Sequence, residues 1–152
     1  FTPEQQEYVM NRLSELTDKY PVNLTEVRSV KRSATVGAVD EATGKSMRLA
    51  VPKAVDHEFL HAIDHSKRSK HGGKSNAAFW KEARKLFKEY KRAVYEDPTN
   101  LISLYSETNV DEFIAEAFSV GVGGDTAGGG FGAKSPYVKK VMKLVNKYFA
   151  KK

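Results

Sequence analysis

Cysteine is absent from this chain of 152 residues. Without thiols the chain can form neither a disulfide framework nor a thiolate metal site. The absence suits a reducing compartment, but it also fits many secreted bacterial proteins. Cysteine content therefore does not decide the localisation.

Long apolar runs are missing as well, and none approaches the roughly 20 residues that a helix needs to span a bilayer. We therefore expect no membrane partner. The first residues, FTPEQQEYVM, lack an initiator Met and have neither the basic start nor the apolar middle of a signal peptide. We expect a domain excised from a larger protein, cytoplasmic or secreted with it.

The composition is that of a globular protein, with 40% hydrophobic and 29% charged residues. A chain of this length is long enough to bury a core of its own. It contains no internal repeat. We expect residues 1–152 to form a single domain.

The net charge of +6 would suit an acidic partner, and ten of the 25 Lys and Arg residues lie between Lys67 and Arg92. Most of them fall in 79–96, where apolar residues recur at helical spacing. A solvated helix face explains that pattern. A nucleic-acid partner is disfavoured because the chain shows no recognition motif or aromatic platform.

Extended and helical patterns follow one another along the chain. Thr2, Pro3 and Gln5 predict a capped helix that runs to about Lys19. Residues 24–51 are rich in Val and Thr, and a turn-like stretch at 40–45 predicts a small antiparallel sheet. Beyond it, periodicity predicts helices near 53–66, 76–96, 109–120 and 136–150. The expected fold class is α+β.

Glycine is concentrated in one segment, Gly121–Gly132, where seven of twelve residues are glycine. Such a composition predicts a flexible loop. The segment continues into 132-GAKS-135, but a phosphate loop needs Gly directly before Lys. Ala133 breaks that pattern, and a P-loop is excluded.

Two histidines form the motif 57-HEFLH-61 in an apolar helix. Residues i and i+4 share one helix face about 6 Å apart, so the rings of His57 and His61 can bind one zinc ion. Glu58 falls in the same sector, beside the metal. The apolar residues of the helix occupy the remaining sectors.

Zinc needs a third protein ligand, and several candidates are open. His65 lies about 12 Å along the helix from His57, too far to share an ion. A metzincin would have histidine where Lys67 stands. Asp64, His71 and an acidic residue of the 109–120 helix remain. On that helix Glu112 and Glu116 lie one turn apart, opposite an apolar stripe, and periodicity does not distinguish between them.

The segments 57-HEFLHAID-64 and 105-YSETNVDEFIAEAFS-119 resemble the catalytic domain of anthrax lethal factor and related gluzincin peptidases. The matching segments cover about a sixth of the chain. The resemblance implies that Glu112 binds zinc, that Glu116 orients a ligating histidine, and that Tyr105 points at the metal. It also implies a bacterial or phage origin and a zincin-like fold, with the small sheet packed on the HExxH helix and a C-terminal helical subdomain.

Two histidines and one carboxylate leave a zinc position open for water, which is typical of catalytic sites. We therefore expect a zinc-dependent endopeptidase that acts on a protein or peptide, with Glu58 as general base and Tyr105 stabilising the oxyanion. Asp64 could accept a hydrogen bond from a ligating imidazole or join a local salt bridge. The alternatives are a catalytically silent metal-binding assembly module, against which Glu58 argues, and a basic nucleic-acid-binding domain.

Overall fold

The protein is described here from a computed structural model. The structure describes residues 1–22, 24, 26–29, 37–39, 46–49, 52–66, 77–123 and 134–151. Within these residues helices dominate, and the α-helices are α1 (Pro3–Lys19), α2 (Val55–Ser66), α3 (Ala77–Glu96), α4 (Val110–Gly121) and α5 (Pro136–Phe149). Short 3-10 turns lie at Pro52–Ala54, Pro98–Asn100 and Tyr105–Glu107.

The described strands are short. They are β1 (Glu26–Ser29), β2 (Gly37–Val39) and β3 (Ser46–Leu49), in the spatial order β1-β3-β2. β1 pairs with β3 in parallel, and β2 pairs with β3 antiparallel. β3 is therefore the central strand of a mixed arrangement.

The predicted α+β class with an antiparallel sheet is wrong, because the described chain is mostly helical and its few strand residues pair in both directions. Extended segments can be identified from Val and Thr content, but the direction in which they pair depends on contacts between distant segments. β1 and β3 are joined in parallel, which requires a crossover and not a hairpin. A local turn signal at 40–45 could not reveal it.

Helix starts follow the local sequence closely. Gln5 donates its backbone N–H to Thr2 Oγ1 at 3.2 Å, and Thr2 donates its own to Gln5 Oε1 at 2.9 Å. The predicted capping box is confirmed. Asn109 caps α4 in a similar way, since its Oδ1 accepts from the backbone N–H of Glu112 at 2.9 Å. This cap fixes Glu112 in the first turn of α4.

α4 lies at the centre of the core. All of its residues from Phe113 to Ser119 are buried, and it packs against both α2 and α5. On its other side α2 packs against β3, whose Met47 and Leu49 are fully buried. α2 is therefore held between the strands and α4, and its His57 and His61 contact glutamates of α4.

Arg12 of α1 ties these two helices together. Its Nε lies 2.5 Å from Oδ1 of the buried Asp56 at the start of α2. Its Nη2 donates to the backbone carbonyl of Val122, just beyond α4, at 2.5 Å. One side chain thus joins the beginning of α2 to the end of α4.

Among the described helices, none has the length and apolar character needed to cross a bilayer.

Candidate metal centre

Three side chains from α2 and α4 meet at one point, and we call them the His57–His61–Glu112 triangle. The Nε2 atoms of the two histidines lie 3.2 Å apart. Glu112 Oε2 lies 2.8 Å from His57 Nε2, and Glu112 Oε1 lies 3.4 Å from His61 Nε2. The triangle therefore brings two nitrogens and a carboxylate close enough to bind one metal ion.

The triangle has a buried side and an open side. The His57 side chain is 1% exposed, whereas those of His61 and Glu112 are 15% and 16% exposed. An ion bound there would face the protein interior on the His57 side. Solvent or a substrate would reach it from the side of His61 and Glu112.

Glu112 Oε2 is a buried oxygen that receives no hydrogen bond from the described residues. His57 Nε2 is only 2.8 Å away, but the contact lacks hydrogen-bond geometry. A buried carboxylate oxygen without a donor is costly, and a cation is one of the few partners that can compensate it. This oxygen fits a metal ligand better than a group satisfied within the protein.

Glu116 occupies the far side of His57. Its Oε2 lies 2.8 Å from His57 Nδ1, and Glu116 itself is 0% exposed. An ionised carboxylate can only accept, so Nδ1 must carry the proton that it donates. When the ring is neutral, the remaining nitrogen, Nε2, carries the lone pair and faces the centre of the triangle. This carboxylate–histidine arrangement is typical of metal sites.

Electrostatics couple the two ionised groups of the triangle. Burial alone would lower the pKa of His57, but the adjacent carboxylates of Glu112 and Glu116 outweigh it and raise that pKa to about 9. Burial would raise the pKa of Glu112, yet its contacts with His57 and His61 lower it to about 2. Without a metal, a proton on His57 balances these carboxylates.

Glu58 and Tyr105 border the triangle. Glu58 is almost fully buried, and its Oε1 lies 3.9 Å from His57 Nε2. The Tyr105 ring is tilted by 33° against the His57 ring, with centroids 5.9 Å apart. Burial raises the pKa of the Glu58 carboxyl and that of the Tyr105 hydroxyl. Glu58 is thus a base of raised proton affinity beside the triangle.

The structure brings together six of the seven residues selected from the sequence: His57, Glu58, His61, Tyr105, Glu112 and Glu116. The seventh, Asp64, belongs to α2, but its side chain and that of His65 lie outside the described part. His71 and residues 124–132 of the glycine-rich segment also lie outside it.

Sequence reasoning missed Ser103. This buried serine donates its hydroxyl to Glu116 Oε1 at 2.7 Å. A lone serine between two helices carries no motif, so only its position two residues before Tyr105 could have drawn attention to it.

Comparisons of the chain with protein-family models, with curated proteins and with solved structures gave no match. The chemistry and geometry of this centre are therefore the basis for inferring a function.

Proposed function

We propose that the protein is a zinc-dependent endopeptidase in which His57, His61 and Glu112 bind the metal and Glu58 is the general base. The single observation that carries the proposal is the His57–His61–Glu112 triangle, with its two imidazole nitrogens and one carboxylate at one point. The residues come from two helices and are brought together by the core.

The dimensions of the triangle fit zinc. In a tetrahedral site with bonds of about 2.1 Å, neighbouring ligand atoms lie roughly 3.4 Å apart. The corresponding distances here are 3.2 Å between the two Nε2 atoms and 2.8 and 3.4 Å from these nitrogens to the Glu112 oxygens. Calcium and magnesium prefer oxygen ligands, whereas imidazole with carboxylate suits zinc.

The ligand number favours catalysis over a structural role. Closed structural zinc sites use four protein ligands, and catalytic sites use three and leave one position open. Among the described residues the triangle supplies three, and it is partly exposed on the side of His61 and Glu112. A substrate carbonyl could approach from that side.

Zinc bound here would supply Lewis-acid activation of a water molecule and of the peptide carbonyl. Glu58 would accept a proton from the attacking water and pass it to the leaving amine. The raised pKa of Glu58 supports this role, because a base whose pKa lies nearer neutrality both takes up and returns a proton more readily. Glu112 would bind the metal and Glu116 contacts His57 Nδ1, so neither would be available for the transfer.

Tyr105 would act on the oxyanion that forms when the carbonyl is attacked. Its ring lies beside His57, and burial near three carboxylates raises the pKa of its hydroxyl, which keeps the proton on the oxygen. A protonated phenol can donate a hydrogen bond to a developing negative charge. Peptides are the proposed substrates because the motif segments resemble those of gluzincin peptidases.

Metal analysis and peptide-library cleavage test the proposal together. The wild type is expected to bind close to one zinc ion, and His57→Ala combined with His61→Ala should abolish binding. Glu58→Gln should keep the zinc but lose hydrolysis, because an amide cannot accept the proton. Glu107→Gln, at an exposed position in the turn that begins at Tyr105, is the matched control and should remain active.

Stoichiometric zinc in the double histidine variant would contradict the ligand set. Full turnover by Glu58→Gln would remove Glu58 from the mechanism. Zinc binding without cleavage of any peptide by the wild type would favour the silent assembly module.

A further inference from the structure

Behind Glu116 a buried network of hydroxyl and backbone groups links the candidate metal centre to α3. Ser103 Oγ donates to Glu116 Oε1 at 2.7 Å, and the backbone N–H of Ser106 donates to Ser103 Oγ at 3.1 Å. Ser106 Oγ in turn lies 2.7 Å from the hydroxyl of Tyr90 on α3. We call Tyr90, Ser106 and Ser103 the hydroxyl relay, and all three are 0% exposed.

Backbone groups fix the direction of every hydrogen bond in the relay. Tyr90 OH accepts from the N–H of Ile102 at 2.8 Å, and Ser106 Oγ accepts from the N–H of Ser103 at 3.2 Å. Ser106 Oγ also donates its only proton to the Ser103 carbonyl, at 2.5 Å. The proton between Tyr90 and Ser106 therefore belongs to Tyr90.

The same reasoning fixes Ser103. An N–H can only donate, so Ser103 Oγ must accept from Ser106, and its single proton is left for Glu116. Glu116 Oε1 is occupied by this bond, and Oε2 faces His57 Nδ1. The relay thus sets both the rotation of the Glu116 carboxylate and the nitrogen of His57 that keeps its proton.

We infer that Ser103, supported by Ser106 and Tyr90, is a positioning residue that holds Glu116 so that His57 turns its Nε2 lone pair toward the metal. The inference rests on the proposed zinc site. Ser103 touches neither the metal nor a substrate and acts through Glu116. The relay also anchors the turn that carries Tyr105, since Ser103 and Ser106 flank that residue.

Zinc affinity, measured by competition with a chelator, is the first readout. Ser103→Ala should weaken zinc binding by up to about 10-fold, the lower end of the range for groups that contact a metal ligand directly, because Ser103 acts through Glu116. Ser103→Thr, which keeps the hydroxyl, should restore most of the affinity. Tyr90→Phe, which removes the far end of the relay, should give a smaller loss in the same direction, and it provides the test if Ser103→Ala does not fold.

Ser135 offers a matched control. It is also a buried serine, its hydroxyl donates to the Asn100 carbonyl at 2.6 Å, and it caps α5 outside the relay. Ser135→Ala should lower the melting temperature without changing zinc affinity. A Ser103→Ala variant that loses stability but keeps wild-type zinc affinity would overturn the inference.

A second readout does not depend on zinc. In the metal-free protein, the His57 Nδ1 proton should give a downfield, slowly exchanging NMR signal because it is bonded to buried Glu116. Ser103→Ala should shift or broaden it, whereas Ser103→Thr and Ser135→Ala should not. If the wild type binds no zinc, the proposed function fails, and this signal still decides about the relay: a change supports it, and an unchanged signal overturns it.

Discussion

Glu112 and Glu116 contact opposite nitrogens of the same imidazole. Glu112 Oε2 lies 2.8 Å from His57 Nε2, and Glu116 Oε2 lies 2.8 Å from His57 Nδ1. The two glutamates are one turn apart on α4, and Glu112 also reaches His61. Glu112 is therefore placed to bind the proposed metal, and Glu116 is placed to orient the His57 ring.

This division predicts different costs for the two alanine variants. Glu112→Ala should remove a ligand and weaken zinc binding far beyond 100-fold, while Glu116→Ala should cost about 10- to 100-fold. Chelator competition would measure both. Glu116→Gln, which keeps a neutral acceptor, should lie between Glu116→Ala and the wild type. Equal losses for Glu112→Ala and Glu116→Ala would contradict the assignment.

Local sequence predicted helix ends well but could not rank the two glutamates. Capping residues such as Thr2 and Asn109 act within one turn, so their effect can be read from neighbouring residues. Periodicity placed Glu112 and Glu116 on one polar face of α4, and the family resemblance was needed to choose Glu112. In the structure Glu116 is fully buried, because neighbouring elements surround α4 on nearly every side.

Contacts between distant segments could not be predicted from the sequence, for a physical reason. The parallel pairing of β1 with β3 and the approach of Ser103 to Glu116 both depend on how separate segments pack. Neither leaves a periodic or spaced pattern in the chain. The i, i+4 spacing of His57 and His61 did predict a pair on one helix face, since helix geometry alone determines it.

Tyr105→Phe should separate binding of the metal from catalysis. Removing the hydroxyl should leave zinc affinity unchanged and lower kcat by about 100-fold, as expected for loss of one oxyanion donor. Steady-state kinetics with a peptide substrate would measure it. Tyr95→Phe, at an exposed position at the end of α3, is the control and should behave as the wild type. A Tyr105→Phe variant with full kcat would exclude the hydroxyl from the reaction.

The basic residues of α3 should not contribute to peptide cleavage. Lys81, Lys88 and Arg92 are exposed, and exposed charges contribute little to stability. Reversing all three to Glu should leave kcat/KM within about twofold of the wild-type value. If the wild type instead bound DNA or RNA tightly, with strong salt dependence that this variant lost, the nucleic-acid interpretation would be favoured.

Arg12→Ala should destabilise the protein strongly. It removes the guanidinium partner of buried Asp56 and a hydrogen bond to the Val122 carbonyl. Breaking a buried ion pair costs about 3–5 kcal/mol, and we expect about 3 kcal/mol because Arg12 remains 19% exposed. Urea denaturation would measure the free energy of unfolding. Glu15→Ala removes the other, 67% exposed partner of Arg12 and should cost less than about 1 kcal/mol.

The stability of the metal-free protein should depend on pH through His57 and Glu112. The pKa of His57 is raised from 6.5 to about 9, so its protonated form stabilises the folded state fully below pH 6.5, and this stabilisation is lost as the pH rises through about 9. The pKa of Glu112 is lowered from 4.5 to about 2, so its contribution is present above pH 4.5 and is lost as the pH falls through about 2.

Zinc should reverse the loss of stability between pH 6.5 and about 9, because the metal takes the place of the proton on His57 Nε2. Binding near pH 7 should therefore release a proton, which calorimetry in buffers of different ionisation enthalpy would detect. In a chelating buffer, the urea midpoint should fall between pH 6.5 and 9 for the wild type. His57→Ala should lack this fall. A wild-type midpoint that rises over that interval would show that His57 is neutral in the metal-free protein.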